Sequence, residues 1–319
     1  MDTLLQRMGE IGLVPVIRLD SAIRAVGLGR ALVKGGIPVA EVTFRTAAAE
    51  ASIRAMSAEL PELLVGAGTI LNVDQAARAI QAGARFIVSP CFVDEVVDYC
   101  LERGVPVLPG IMNPDGVARG LAKGLEALKF FPAGASGGTT MLDALAGPFG
   151  SMTFIPTGGI DAGNVGSYAR RASVLAIGGS WMVPAERVEA EDWAAVEALC
   201  HAAVSALHGF AFAHLGINGA DEAGCRQMAG TFERLFHLAP REGGGSIFAG
   251  DMIEITRKPF RGAKGHLAIR CNQVERAVAH CKGLGIAARP ETAKREKGVL
   301  KAICLDLELG GFAVHLLRN

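Results

Sequence analysis

The chain has 319 residues, a formal net charge of zero and 50% hydrophobic content, enough for one large domain and a smaller one. That balance gives no sign of nucleic acid or an acidic membrane surface as partner. The N-terminal Met1-Asp2-Thr3-Leu4-Leu5-Gln6-Arg7 puts charges where a signal peptide needs its apolar core, and the apolar stretch around 172–185 is too short and too broken by Gly and Pro to span a bilayer.

The seven cysteines are odd in number and form no Cys-x-x-Cys pair, so reduced thiols in a cytoplasmic protein are expected. Residues 1–209 carry 16 Lys+Arg against 21 Asp+Glu, while 210–319 carry 16 against 11 and five of the seven histidines. Two differently composed domains, 1–209 and 210–319, are therefore expected.

Short β-rich runs recur through the first part: Val14–Arg18, Val39–Phe44, Leu64–Gly68, Phe86–Ser89, Val105–Leu108, Ala127–Phe131, Thr153–Pro156 and Val174–Ile177. Each begins 19 to 26 residues after the last, with helical patterning between. A helix over Asp20–Gly35 would turn Ile23, Val26, Leu28 and Leu32 inward. Asp74–Ala82 and Asp94–Arg103 each open on a capping Asp and close at Gly. A last helix over Glu191–Leu207 places Trp193, Val196, Cys200, Val204 and Leu207 on one stripe. Eight βα units argue for an α/β fold, a (β/α)8 TIM barrel, over a doubly wound open sheet.

In such a barrel chemistry sits where strands end at their C-termini. Alternation puts Glu41, Thr43 and Arg45 on one face, to bind a ligand or to form an inward salt bridge. Val65-Gly66-Ala67-Gly68-Thr69 ends a strand with small residues, where a ligand could approach the backbone, and a hydroxyl. Val88-Ser89-Pro90 closes the fourth strand. Leu128-Lys129-Phe130-Phe131-Pro132-Ala133 sets a lysine inside an apolar run. Residues 1–209 hold only three lysines, and Lys34 and Lys123 each sit before a glycine at a helix end. Desolvation would make Lys129 a nucleophile able to form a Schiff base; a strand-edge lysine snorkelling to solvent is the alternative. Pairs of glycines follow the seventh and eighth strands, in Pro156-Thr157-Gly158-Gly159-Ile160 and Ile177-Gly178-Gly179-Ser180-Trp181, where barrels bind phosphate on backbone N–H groups.

These runs, with Ala146-Gly147-Pro148-Phe149, resemble in order the 2-keto-3-deoxy-6-phosphogluconate (KDPG) / 4-hydroxy-2-oxoglutarate (KHG) aldolases across nearly all of 1–209. The resemblance implies a class I aldolase, a carbon–carbon lyase releasing pyruvate from a 2-keto acid. Lys129 would be the Schiff-base lysine and Glu41 the general acid/base. Arg45 and Thr69 would hold the substrate carboxylate, Thr157 its hydroxyls, and Gly158, Gly159, Gly178, Gly179 and Ser180 the phosphate. Pro90 and Phe131 would line the substrate site. It also implies a homotrimer and no metal or other cofactor for the aldolase step. Cys91 and Gly134 stand where the family usually has Gly and an acidic residue.

The second part opens on the strand Phe210–Ile217 and a helix over Asp221–Phe236, with Cys225, Met228, Phe232 and Leu235 on one face. Strands Ser246–Ala249 and Met252–Arg257 follow. A second round runs through Gly265–Arg270, a helix over Gln273–Leu284, Val299–Leu307 and Gly311–Leu317. This is a βαβββ unit written twice, a weak repeat similar to the vicinal-oxygen-chelate (glyoxalase-like) fold. The resemblance places candidate ligands for a divalent metal at His214, Glu254, His266 and His315, the last where a glutamate is more usual. Two rivals to the aldolase reading follow: a metal-dependent isomerase or lyase activity in this domain, or its use as a ligand-sensing or assembly module.

Overall fold

In the computed structural model, which describes residues 3–319, strand and helix alternate through the first unit, Met1–Leu207. Its strands are β1 (Leu13–Ile17), β2 (Val39–Thr43), β3 (Leu64–Gly68), β4 (Ile87–Val88), β5 (Val107–Leu108), β6 (Gly110–Ile111), β7 (Ala127–Phe130), β8 (Thr153–Pro156) and β9 (Ile177–Gly179). All pair in parallel, in the orders β5-β4-β3-β2-β1-β9 and β6-β7-β8. β5 and β6 flank Pro109, which has no N–H to give the ladder. Bridges Phe154↔Val174 and Thr157↔Gly178 carry the sequence of strands from β8 on to β9. The parallel sheet thus curls into a TIM-like (β/α) domain. Every residue of β2 and β3 is buried, as expected of strands covered on one side by helices and on the other by the interior.

Several local expectations change. The first helix after β1 breaks into a 3-10 turn, Ala22–Arg24, capped by the Ser21 side chain, and an α-helix, Ala25–Lys34. The tighter turn alters the phase, and Ile23 is 88% exposed rather than inward. Asn72, not Asp74, caps the next such helix, accepting from the Gln75 N–H. Asp94 lies inside the helix Asp94–Glu102, and its predecessor Val93 makes no side-chain cap. The final strand forms three residues later than its apolar run suggests, at Ile177–Gly179.

The second unit, His208–Asn319, contains β10 (Ala211–Asn218), β11 (Pro240–Glu242), β12 (Ser246–Ala249), β13 (Ile253–Thr256), β14 (Gly265–Cys271), β15 (Ala288–Glu296), β16 (Val299–Leu309) and β17 (Phe312–Arg318). They form one sheet in the order β11-β12-β13-β10-β14-β17-β16-β15. The two halves repeat: strand, helix, then three strands, with β10 parallel to β13 and β14 parallel to β17. β10 and β14 pair antiparallel at the centre. The helix Glu222–Phe236 is capped by Asp221 and buries Cys225 and Ala229, but Leu235 is exposed. β11 and β15 carry no apolar alternation, and their sequences give no strand signal; both are exposed edge strands.

Alternation divides most of this sheet, with Ile303 both in an apolar cluster and at the cavity wall. Ile247, Ile255, Ile303, Val314 and Leu316 pack in two apolar clusters with residues of the helices Glu222–Phe236 and Val274–Gly283. The intervening residues, including Glu254, His266 and His315, line a cavity of about 1300 Å³ on the opposite face. No described helix is long and apolar enough to cross a membrane.

Candidate active site

Lys129 and Glu41 meet inside the first unit. Nζ of Lys129 lies 3.1 Å from Oε1 of Glu41, with the two side chains 7% and 4% exposed. Lys129 enters from β7 and Glu41 from β2, 88 residues earlier in the chain. The lysine is thus buried but partnered. Burying either charge alone would cost several kcal/mol, and a hydrogen-bonded pair offsets much of that. The Phe131 ring centroid is 5.4 Å from Nζ.

The glycines of β3 serve these side chains. A Cβ at Gly68 would lie 2.3 Å from Oε1 of Glu41, and one at Gly66 would strike the Phe86 ring. The small residues therefore admit protein groups into the interior, not a ligand to the backbone as expected. At the end of β3, Thr69 adopts φ 58°, a left-handed backbone that costs a β-branched residue about 1–3 kcal/mol. Such strain is common at functional sites and here fixes the hydroxyl-bearing residue next to Gly68.

Beyond β2, Thr43 donates to the Ile17 carbonyl at 2.8 Å and accepts from Nε of Arg45 at 3.2 Å. Arg45 is exposed, and among the described residues its guanidinium has no carboxylate partner. An anion would supply one. Pro90 is half-buried at the end of β4, next to Ser89, whose buried hydroxyl has no partner among the described residues. Ser89 was visible in the Ser-Pro motif but had no other signal to single it out.

The two glycine pairs differ. Gly158 and Gly159 both have positive φ, 92° and 73°, and form a turn at the end of β8. Gly178 and Gly179 instead lie within β9. A Cβ at Gly178 would strike Oγ1 of Thr157, and one at Gly179 the Trp181 ring. The second pair is packing space inside a strand, not a second turn. Thr157 is buried, and Ser180 is exposed just past β9.

In the second unit His214, His266 and Glu254 converge. Nε2 of His214 is 3.0 Å from Oε2 of Glu254, Nε2 of His266 is 3.1 Å from the same oxygen, and the two nitrogens are 3.2 Å apart. His315 joins them: one nitrogen from each of the three imidazoles falls within a 4.8 Å cluster. Gly216, opposite His266 across β10 and β14, leaves room for that ring. Burial alone would raise the Glu254 pKa, but hydrogen bonds with His214, His266 and Ser246 hold it well below the usual carboxylate range. Burial, then His266 and His214, and also Lys294, hold His315 down to about 3, so its imidazole is neutral. Among the described residues, Nδ1 of His266 and Nε2 of His315 are buried without a partner. One nitrogen from each of the three histidines could hold a divalent metal, with the Glu254 carboxylate beside His214 and His266.

A protein-family model for KDPG and KHG aldolase matches residues 4–199. The 2-dehydro-3-deoxy-phosphogluconate aldolase of Treponema pallidum is 46% identical over 199 residues, 62% of this chain and 95% of that protein. The KHG/KDPG aldolase of Escherichia coli K12 is 45% identical over 191 residues, 60% of this chain and 90% of that one. The solved KDPG aldolase of Legionella pneumophila, with pyruvate captured at low pH as a covalent carbinolamine, is 35% identical with a TM-score of 0.61, covering 64% of this chain and 99% of that one. Through this first unit, the chain belongs to the KDPG and KHG aldolase family.

Proposed function

We propose that the first unit is a class I aldolase, an aldehyde-lyase that cleaves KDPG to pyruvate and glyceraldehyde 3-phosphate, 4-hydroxy-2-oxoglutarate to pyruvate and glyoxylate, or both. The observation that carries this is the buried Lys129–Glu41 contact at 3.1 Å. Transfer of the Nζ proton to Glu41 leaves an amine that attacks the C2 ketone. The carbinolamine loses water, with Glu41 supplying the proton, and an iminium forms. Glu41 then takes the C4 hydroxyl proton, the C3–C4 electron pair flows to the iminium, and the aldehyde leaves. Protonation of the enamine at C3 and hydrolysis of the imine release pyruvate and restore Lys129.

Arg45 binds the substrate carboxylate as a bidentate fork, with Thr69 beside it. Pro90 and Phe131 line the site, Thr157 meets substrate hydroxyls, and the Gly158-Gly159 turn takes the phosphate, with Gly178, Gly179 and Ser180 alongside. The covalent carbinolamine of the Legionella relative supports a lysine route for this family. Seven unpaired thiols fit a reducing, cytoplasmic setting, and a homotrimer is the proposed assembly, open to sedimentation analysis. Borohydride with pyruvate is expected to add mass to the peptide holding Lys129, and Lys129→Arg to abolish it. Mass on Lys34 or Lys123 instead would refute the assignment.

For the second unit, the repeated βαβββ order supports a glyoxalase-like module, and the imidazole cluster supports a divalent ion held by His214, Glu254, His266 and His315. Such an ion would supply Lewis acidity to an oxygen ligand. His214 and His266 orient Glu254, and neutral His315 completes the donor set. A chelator is expected to lower the melting temperature of this unit while aldol cleavage continues. If the chelator instead stops pyruvate release, the separation of the two sites is wrong.

A further inference from the structure

We infer that the cavity of the second unit binds a small organic acid whose head reaches the His214/Glu254/His266/His315 cluster and whose remote carboxylate or phosphate is held by Arg270 and Lys294. The inference rests on the metal reading above and adds the ligand's second charge.

Strand register places the two cations. Arg270 pairs with Leu317, Leu317 with Ala302, and Ala302 with Lys294, a single transverse row across β14, β17, β16 and β15. The histidine row, His214–Ala268–His315, lies two residues away on the same face. Two residues along a strand span about 7 Å. All of these residues except Ala268 line the one cavity.

Of the other cavity cations three are paired with carboxylates, while Lys258 and Arg295, which have no carboxylate partner among the described residues, stand outside the Arg270–Lys294 row. Arg257 is paired with Glu222 and Glu242, Arg318 with Glu275, and Lys301 with Glu296. Among the described residues, neither Arg270 nor Lys294 has a carboxylate partner. Adding a divalent ion would raise the positive charge further, with Glu254 as the carboxylate at the cluster. An anion is the complement. The cavity, about 1300 Å³, exceeds the roughly 300–1,000 Å³ of ordinary small-molecule pockets, so there is room for more than a head group. A head and tail separated by two or three carbons match the row spacing.

The test uses the full chain loaded with Co²⁺, whose visible spectrum reports only on the metal's surroundings. Two ligand pairs serve as probes: 2-oxoglutarate against pyruvate for a carboxylate tail, and 3-phosphoglycerate against lactate for a phosphate tail. At least one tailed acid is expected to shift the spectrum at a concentration about tenfold or more below its tail-less counterpart, and the pair that responds identifies the tail. Arg270→Gln and Lys294→Gln are expected to remove that preference while Co²⁺ stoichiometry and melting temperature stay as in the parent. Both positions are exposed, so folding is not at stake. Equal affinity within both pairs, or a preference that survives both substitutions, overturns the inference and leaves the metal reading intact. Failure to bind Co²⁺ at all overturns both.

Discussion

Gly68 holds open the space that the Glu41 carboxylate fills: a methyl group added there would lie 2.3 Å from Oε1. The same oxygen is the one in contact with Lys129. A backbone position on β3 therefore sets where the acid/base on β2 can stand. Gly68→Ala should lower kcat for pyruvate release about 100-fold, since displacements near 1 Å cost about that much, and should cost about 1–3 kcal/mol of stability through overpacking. Unchanged kcat would show that Glu41 can act from elsewhere.

Glu41→Gln preserves shape but removes the carboxylate. It is expected to reduce kcat by about 10²–10⁴-fold, the usual range for a lost general acid/base, while imine trapping at Lys129 continues more slowly. Glu41→Ala goes further and strands the lysine. Its added cost in stability is about 3–5 kcal/mol, readable in denaturant unfolding. Equal stability of the two variants would mean the pair does not hold the site together.

Thr43 is bonded on both sides, to the Ile17 carbonyl and to Nε of Arg45, and so sets the aim of the guanidinium. Thr43→Val should raise KM several-fold with kcat nearly unchanged, and Thr43→Ser should recover the parent value. A fall in kcat without a rise in KM would assign Thr43 to the chemistry rather than to positioning.

His208 offers a pH-dependent stability. Burial, then the neighbouring His280 and Arg276, hold it down from 6.5 to about 3, and its ring stacks on Phe210. The unfolded chain therefore binds a proton that the folded one refuses between those two values. Stability is full above pH 6.5 and falls toward pH 3, by up to about 1.4 kcal/mol per unit from this group. His208→Phe keeps a ring against Phe210 and removes the proton, so the melting temperature of the second unit should decline less steeply with acid. An identical decline would clear His208 of any part in it.

The TIM-like (β/α) unit is readable because its signals are local. Strand spacing, alternation and glycine runs each depend on neighbours a few residues apart, and Lys129 stood out as a charge in an apolar strand. The partner that meets Lys129 is 88 residues away, and alternation could offer Glu41 only as one of three residues facing inward. Ile23 misled because a 3-10 turn shifts helical phase without any change in hydrophobicity. β15, Ala-Arg-Pro-Glu-Thr-Ala-Lys-Arg-Glu, could not be seen at all: an edge strand needs no buried face. Arg270 and Lys294 were likewise invisible as a pair, since only register across four strands brings them into one row.

The duplicated sheet has a consequence for how the second unit comes apart. His214 and Glu254 belong to the first βαβββ half, His266 and His315 to the second, and the halves join along β10 and β14. Neither half owns a complete donor set. An ion bound across that seam would act as a crosslink whose strength counts toward both halves at once, so local opening of either would release it. Amide exchange should then slow together in β13 and β17, on opposite flanks of the seam, when the metal is added.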